Sequence, residues 1–312
     1  MFPYLPLGAR CVVGEWFLVP PTEICIEDAR DEEAFRAAEG LAKITAIAEQ
    51  RQRMGAFAIS TAGRLGDTFP EERVVALHRA VAAAALDRNG TMAVPPEQQR
   101  PDEELRAVTS ENLVLRGHHL KDGQITERLG YVVSKTCSTN VHLSDRSVPP
   151  RALHLPLFAP ALDVEYAGDL YRLLTDGSAA AERMRRAIEW LLIAWSNSME
   201  IPTELRIIAL RTGFETLLGE DEYLAAATAL SALLEPPEVP KVRREWQSAA
   251  GKLRHQDLSD LAWWFVKFSW LRNDIVHVRP FGDAWYGGRE HIWLAEHRLR
   301  LAIRETVKRV SP

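Results

Sequence analysis

Between Ser259 and Pro280 the chain holds a segment with almost no polar side: Leu261, Trp263, Trp264, Phe265, Val266, Phe268, Trp270, Leu271, Ile275 and Val276. Its length predicts a helix, with Ser259 as N-cap. Pro280, which has no amide hydrogen and whose ring clashes with the preceding turn, is the expected stop. A helix that is apolar nearly all round must be covered on more than one side. That requirement predicts a helical bundle with this segment at its centre, and its surplus apolar surface fits a second subunit packed against the first.

The surrounding sequence supports a bundle. Met184, Ile188, Leu191, Leu192 and Trp195 recur at helical spacing and form one apolar stripe, with Arg183, Arg185 and Arg186 opposite. A second helix is predicted from about Thr203, a candidate N-cap behind Pro202, through Ile207, Leu210, Phe214 and Leu217 to Gly219. A third covers Glu222 to Leu234, and a fourth Lys241 to Arg254 beyond the break at Pro236 and Pro240. The last, about Glu290 to Val310, carries a stripe of Ile292, Ala295, Leu299, Ile303 and Val310.

The N-terminal half reads as mixed. Cys11 to Val19 is a strand candidate ended by Pro20-Pro21, and Glu32 to Ala58 has a long Ala-rich helical pattern. Another helix is expected from Glu71 to Leu86, behind Pro70 and before Asn89-Gly90. Two strands flank Lys121-Asp122-Gly123-Gln124, where Asp-Gly suits the positive φ of a hairpin turn. Prolines 149, 150, 156 and 160 exclude regular helix and place a domain boundary near residue 160. The expected fold class is therefore an α+β N-terminal domain, residues 1–160, followed by an all-α bundle, residues 161–312.

At 46% hydrophobic and 26% charged residues, the chain has enough apolar material for two cores and is neither disordered nor fibrous. Met1 to Pro21 lacks the unbroken apolar core of a signal peptide, and no run of 18 apolar residues offers a membrane span. Cys11, Cys25 and Cys137 are odd in number and widely spaced, which fits a reducing cytoplasm better than a disulfide framework or a zinc site. The net charge of −5 argues against bulk electrostatic capture of nucleic acid. From Leu261 to Pro312, however, nine Lys and Arg stand against five Asp and Glu, a balance of +4 that leaves −9 to the remainder.

That basic surplus accompanies a polar insertion in the apolar helix: Arg272-Asn273-Asp274-Ile275-Val276-His277. Asn273 and His277, four apart, share a face, whereas Arg272 and His277 lie about 140° and about 7.5 Å apart. One straight helix does not focus both on a single phosphate; two antiparallel copies across a symmetric dimer can, each chain's Arg approaching the other's His. The residue types suit RNA transesterification. His277 can take the proton of a 2′-hydroxyl or return one to the leaving oxygen, and its place near a helix C-terminus favours the imidazolium. The planar guanidinium of Arg272 can donate two hydrogen bonds to the charge that builds on the phosphate, while Asn273 can orient either. This chemistry calls for no metal and no cofactor.

Leu271 to His277 resembles the Arg, polar residue, variable gap, His motif of HEPN domains. Phe214-Glu215-Thr216-Leu217-Leu218-Gly219 resembles the Phe-Glu-x-Leu-Leu helix of their ApeA-like branch. The resemblance covers roughly residues 163–312. It implies a helical bundle that dimerises and acts as a metal-independent endoribonuclease in toxin modules or phage defence, with an antitoxin or defence-system partner. It places Arg272, Asn273 and His277 at the catalytic positions, with Asp274 and Glu215 as accessory candidates.

Blander readings stand beside these. Arg272 can be a structural cap paired with Asp274 or Glu215, His277 can satisfy helix-terminal carbonyls, and Glu215, four after Arg211, can form an intrahelical pair. Adjacent residues on a strand point to opposite faces, so His118 and His119 make a poor metal site. Gly287-Gly288 is a turn, not a phosphate loop, because no Lys-Ser or Lys-Thr follows. Trp263, Trp264 and Trp270 can stack bases, but tryptophans at helical spacing usually belong to a core or interface. The alternative functions are a non-catalytic HEPN module that binds nucleotide or RNA, and a dimeric regulator or antitoxin whose active part is the N-terminal half.

Overall fold

A computed structural model of the chain describes residues 7–39, 56–90, 118–121, 124–127, 162–195, 202–247, 252–277 and 289–310. The chain divides into two compact units, one of Met1–Met92 with Asp102–Arg172 and the other of Ala93–Pro101 with Leu173–Pro312. The proline-rich stretch where the sequence places a boundary lies outside the described residues.

In the first unit, β1 (Cys11–Val13) and β2 (Trp16–Val19) form an antiparallel hairpin, so the single strand expected over Cys11–Val19 is in fact two. The break falls at Gly14, whose φ of 59° suits glycine and whose missing Cβ would stand 2.2 Å from the Tyr171 ring. A helix, α1, includes residues 32–39. The helix expected to reach Ala58 does not, because Phe57–Ser60 is strand β3, paired antiparallel to β2 with Val19 opposite Phe57. Here β-sheet pairing overrides the Ala-rich propensity.

Helix α2 (Glu71–Gly90) starts behind Pro70 as expected, and Ala80 through Leu86 are buried on every side. Strands β4 (His118–Lys121) and β5 (Gln124–Glu127) pair with Lys121 opposite Gln124, which is the hairpin read from Asp-Gly. Helix α3 (Val164–Thr175) brings the Tyr171 hydroxyl to Glu15 Oε1, 2.7 Å away, and Arg73 pairs with the same carboxylate at 3.1 Å. Burial foremost, with the Glu15 carboxylate adding to it, pushes the Tyr171 phenol up to about 12.

The second unit is mainly helical: α4 (Ala179–Trp195), α5 (Thr203–Leu218), α6 (Tyr223–Leu234), α7 (Asp260–Val276) and α8 (Arg289–Val310). Helix α5 pairs most extensively with α4 and also touches α6, α7 and α8, while α6 packs on α7. The core gathers Leu210 and Phe214 of α5, Phe265 and Phe268 of α7, and Leu299 and Ile303 of α8. Phe214 meets Phe265 edge to face at 5.2 Å.

Local signals set the helix ends. Glu222 caps α6 by accepting from the amides of Leu224 and Ala225, and Ser259 caps α7 by accepting from Ala262 at 3.1 Å. Gly219, left-handed at φ 72°, closes α5. At the start of α5 the cap position belongs to Pro202, with no side-chain bond, and Thr203 is already helical, which corrects the expected cap.

One expected helix is a hairpin. Lys241 to Arg254 does not form the fourth helix: β6 (Val242–Gln247) and β7 (Leu253–Leu258) run antiparallel with Trp246 opposite Arg254. The unit is thus helical with an added two-stranded sheet, not all-α. The cause is Trp246, buried against Trp263 at 6.0 Å and Trp270 at 6.3 Å. The outer face of α7 is therefore met in part by a segment of the same chain, which leaves Trp263 and Trp270 partly exposed, and its apolar surplus does not by itself require a second subunit. Among the described residues no helix is long and apolar enough to cross a membrane.

Candidate functional site

The polar groups in the apolar centre of the second unit come from two helices. On α5, Arg211 is 2% exposed and cannot reach bulk water. Its Nε donates to Ser269 Oγ of α7 at 2.8 Å, and Ser269 in turn donates to the Phe265 carbonyl one turn earlier. Its Nη1 lies 2.9 Å from Glu215 Oε1, an ion pair one turn along α5 without hydrogen-bond alignment. The guanidinium plane sits 4.7 Å from the Phe265 ring centroid. Burial foremost lowers the pKa of Arg211, and the positive charge of Arg272 lowers it further; Glu215, Glu222 and Asp221 oppose both.

Arg272 is thus close enough to Arg211 for the two cations to repel. It is half-buried, its Nη1 donates to Asn273 Oδ1 at 3.1 Å, and its Nε is buried without a hydrogen-bond acceptor. Among the described residues it forms no ion pair with a carboxylate. Glu215, one of its two expected structural partners, is engaged by Arg211 instead. A guanidinium held in a part-buried position with unused donors is chemically an anion receptor.

His277 is exposed and forms the C-cap of α7; its amide donates to the Asn273 carbonyl at 3.0 Å. Arg211, Glu215 and Ser269 are thus joined at the α5–α7 contact, Arg272 bonds to Asn273 and repels Arg211, and His277 stands exposed at the helix end on the Asn273 face. Asp274 is half-buried on the His277 side of the helix. Within one chain Arg272 and His277 point in different directions, as the five-residue spacing requires.

Two members of this arrangement escape sequence reasoning. The sequence offers Arg211 only as the intrahelical partner of Glu215, a pair the structure contains, and gives no sign of its burial against α7, while Ser269 is a lone hydroxyl in an apolar helix. That second oddity is the signal that could have located the first, since a buried hydroxyl asks for a partner. Among the described residues no group of three or more His, Cys, Asp or Glu is placed to hold a metal ion.

Comparison with protein-family models, with curated proteins and with solved structures finds no match.

Proposed function

We propose that this chain is a metal-independent endoribonuclease of HEPN type, acting on RNA in the cytoplasm as a toxin or anti-phage effector. The observation that carries the proposal is Arg272: a part-buried guanidinium, braced by Asn273, crowded by the locked Arg211 and lacking a carboxylate partner among the described residues. Such a cation gains most when a phosphate arrives, because the anion satisfies its donors and relieves the repulsion from Arg211. His277, exposed at the negative end of the α7 dipole, supplies the proton-transfer group.

In this mechanism the 2′-hydroxyl attacks the adjacent phosphorus, its proton goes to a neutral imidazole, and an imidazolium returns one to the departing 5′-oxygen. The products are a 2′,3′-cyclic phosphate and a 5′-hydroxyl. Arg272 stabilises the non-bridging oxygens as charge accumulates. Because Arg272 and His277 diverge along one helix, the complete site draws the arginine from one chain and the histidine from its partner in a homodimer. The same divergence favours the second reading, a non-catalytic module that binds RNA or nucleotide through Arg272 alone.

Purified protein is expected to cleave RNA in EDTA with cyclic phosphate ends. Arg272→Ala and His277→Ala should each lower the rate by at least about 100-fold while keeping the wild-type circular dichroism. Cleavage that persists in both variants refutes the assignment, and binding without cleavage in the wild type supports the second reading.

A further inference from the structure

Helix α7 presents a second surface that the phosphate site does not use. Trp263, Lys267, Trp270, Asp274 and His277 are spaced by four, three, four and three residues, so all fall within about 40° of one line along the axis. Each is at least partly exposed, whereas Leu261, Trp264, Phe265, Val266, Phe268, Ser269 and Leu271 are buried. The indoles pack on one another: Trp263 and Trp270 meet edge to face at 5.4 Å, and the buried Trp246 of β6 lies against both from the hairpin side.

Cations border these rings. Lys267 Nζ lies 5.9 Å and the Arg244 guanidinium 6.0 Å from the Trp263 centroid. Arg244 also pairs with Asp260, so its charge is matched, whereas Arg254 is exposed and leaves the hairpin on the same face as Trp246, its cross-strand partner. From Lys241 to His277 the chain carries seven Lys and Arg against four Asp and Glu, in a molecule whose net charge is −5.

We propose that this face, Trp263, Lys267 and Trp270 of α7 with Arg254 of the hairpin, binds single-stranded RNA and leads it to His277. Half-exposed indoles accept bases by stacking, the cations beside them neutralise phosphates, and a single strand supplies both at once. A duplex keeps its base faces hidden and can use only the cations. Seven residues separate Trp270 from His277, about 10.5 Å along the axis, so the stacked base belongs to a nucleotide flanking the one whose phosphate is cut. Asp274 lies between them and repels phosphate, which sets base rather than backbone over that turn. The direction of the strand rests on the nuclease reading; binding itself does not.

The test uses the full chain with His277→Ala, so that bound strand is not consumed, and follows fluorescein-labelled oligouridine by anisotropy across a salt series. Lys267→Glu with Arg254→Glu should weaken binding at least about ten-fold and reduce the salt slope by about 1.4, the release of two phosphate contacts. Trp270→Leu, which keeps an apolar side chain against Trp246, should weaken binding about ten-fold and leave the slope unchanged. Circular dichroism confirms that each variant is folded. In the chain with His277 intact, the double charge variant should raise KM for RNA and spare kcat.

Three results overturn the proposal: no binding by the parent protein, equal binding of the duplex form of the probe, or a folded double variant within about two-fold of the parent. Binding that follows the predicted pattern in a protein that never cleaves RNA upholds the surface and removes the catalytic assignment alone.

Discussion

Arg211 and Ser269 show how a single hydroxyl can decide the fate of a buried charge. Arg211 Nε has Ser269 Oγ as its acceptor at 2.8 Å, and at 2% exposure water cannot replace it. Ser269→Ala removes little volume but strands that donor. The unfolding free energy should fall by about 1–3 kcal/mol, the range for a buried polar group left unpaired and well above the loss of one ordinary net hydrogen bond. Urea denaturation read at the midpoint measures it. A loss under about 0.5 kcal/mol would show that Arg211 finds another acceptor, and the bracing of the α5–α7 contact would need a different account. Because Arg272 is close enough to Arg211 to repel it, the variant should also bind phosphate-bearing ligands more weakly, although the Ser269 hydroxyl bonds to Arg211 and the Phe265 carbonyl and not to Arg272 or His277.

At the level of elements, Gly213 on α5 marks a close approach of three helices. A Cβ there would stand 2.8 Å from Leu299 Cδ2 of α8 and 3.3 Å from Trp190 Cβ of α4. Gly213→Ala sets a helix-propensity gain of about 1 kcal/mol against crowding of about 1–3 kcal/mol, so its net effect is small. Gly213→Val adds two methyls and a β-branch with no such gain. It should lower Tm well below the Ala variant, and equal melting temperatures would contradict the close helix approach. Legibility in the sequence follows the same division between local and distant causes. Helices announced by caps and stripes, such as α6 behind Glu222 and α7 behind Ser259, were readable because those causes lie within a turn. The hairpin was not. Of the residues on the inward face of β6 and β7, Arg244, Arg254 and Gln256 are polar, so the period-two alternation is masked, and only contact with Trp263 and Trp270 of another element reveals why Trp246 is buried. The site divides likewise. Arg272, Asn273 and His277 stood out as polar residues in an apolar helix, while Arg211 and Ser269, 58 positions apart, are joined only by the fold.

Over the whole molecule, the negative net charge and the buried polar groups of the second unit make stability depend on pH, and Glu296 on α8 is where this should be most visible. It is 6% exposed, and burial pushes its carboxyl up to about 7 from an ordinary 4.5, even though Arg300 and Arg206 pull the other way. The folded chain therefore holds a proton between about pH 4.5 and about pH 7 that the unfolded chain has released. Under that imbalance stability is fullest below the unfolded value and declines as pH rises through the folded one. Glu296→Gln keeps the shape and removes the titration, so its stability relative to wild type should grow steadily across this window and level off above it. Eight of the nine tryptophans lie beyond Arg172, so fluorescence reports mainly the unfolding of this unit, with Trp16 the one contribution from the first. Urea midpoints for both proteins, taken stepwise across that range, give the difference directly and cancel the titration of every group they share. If that difference is flat, Arg300 and Arg206 hold Glu296 ionised in the fold, and the ion pairing outweighs burial.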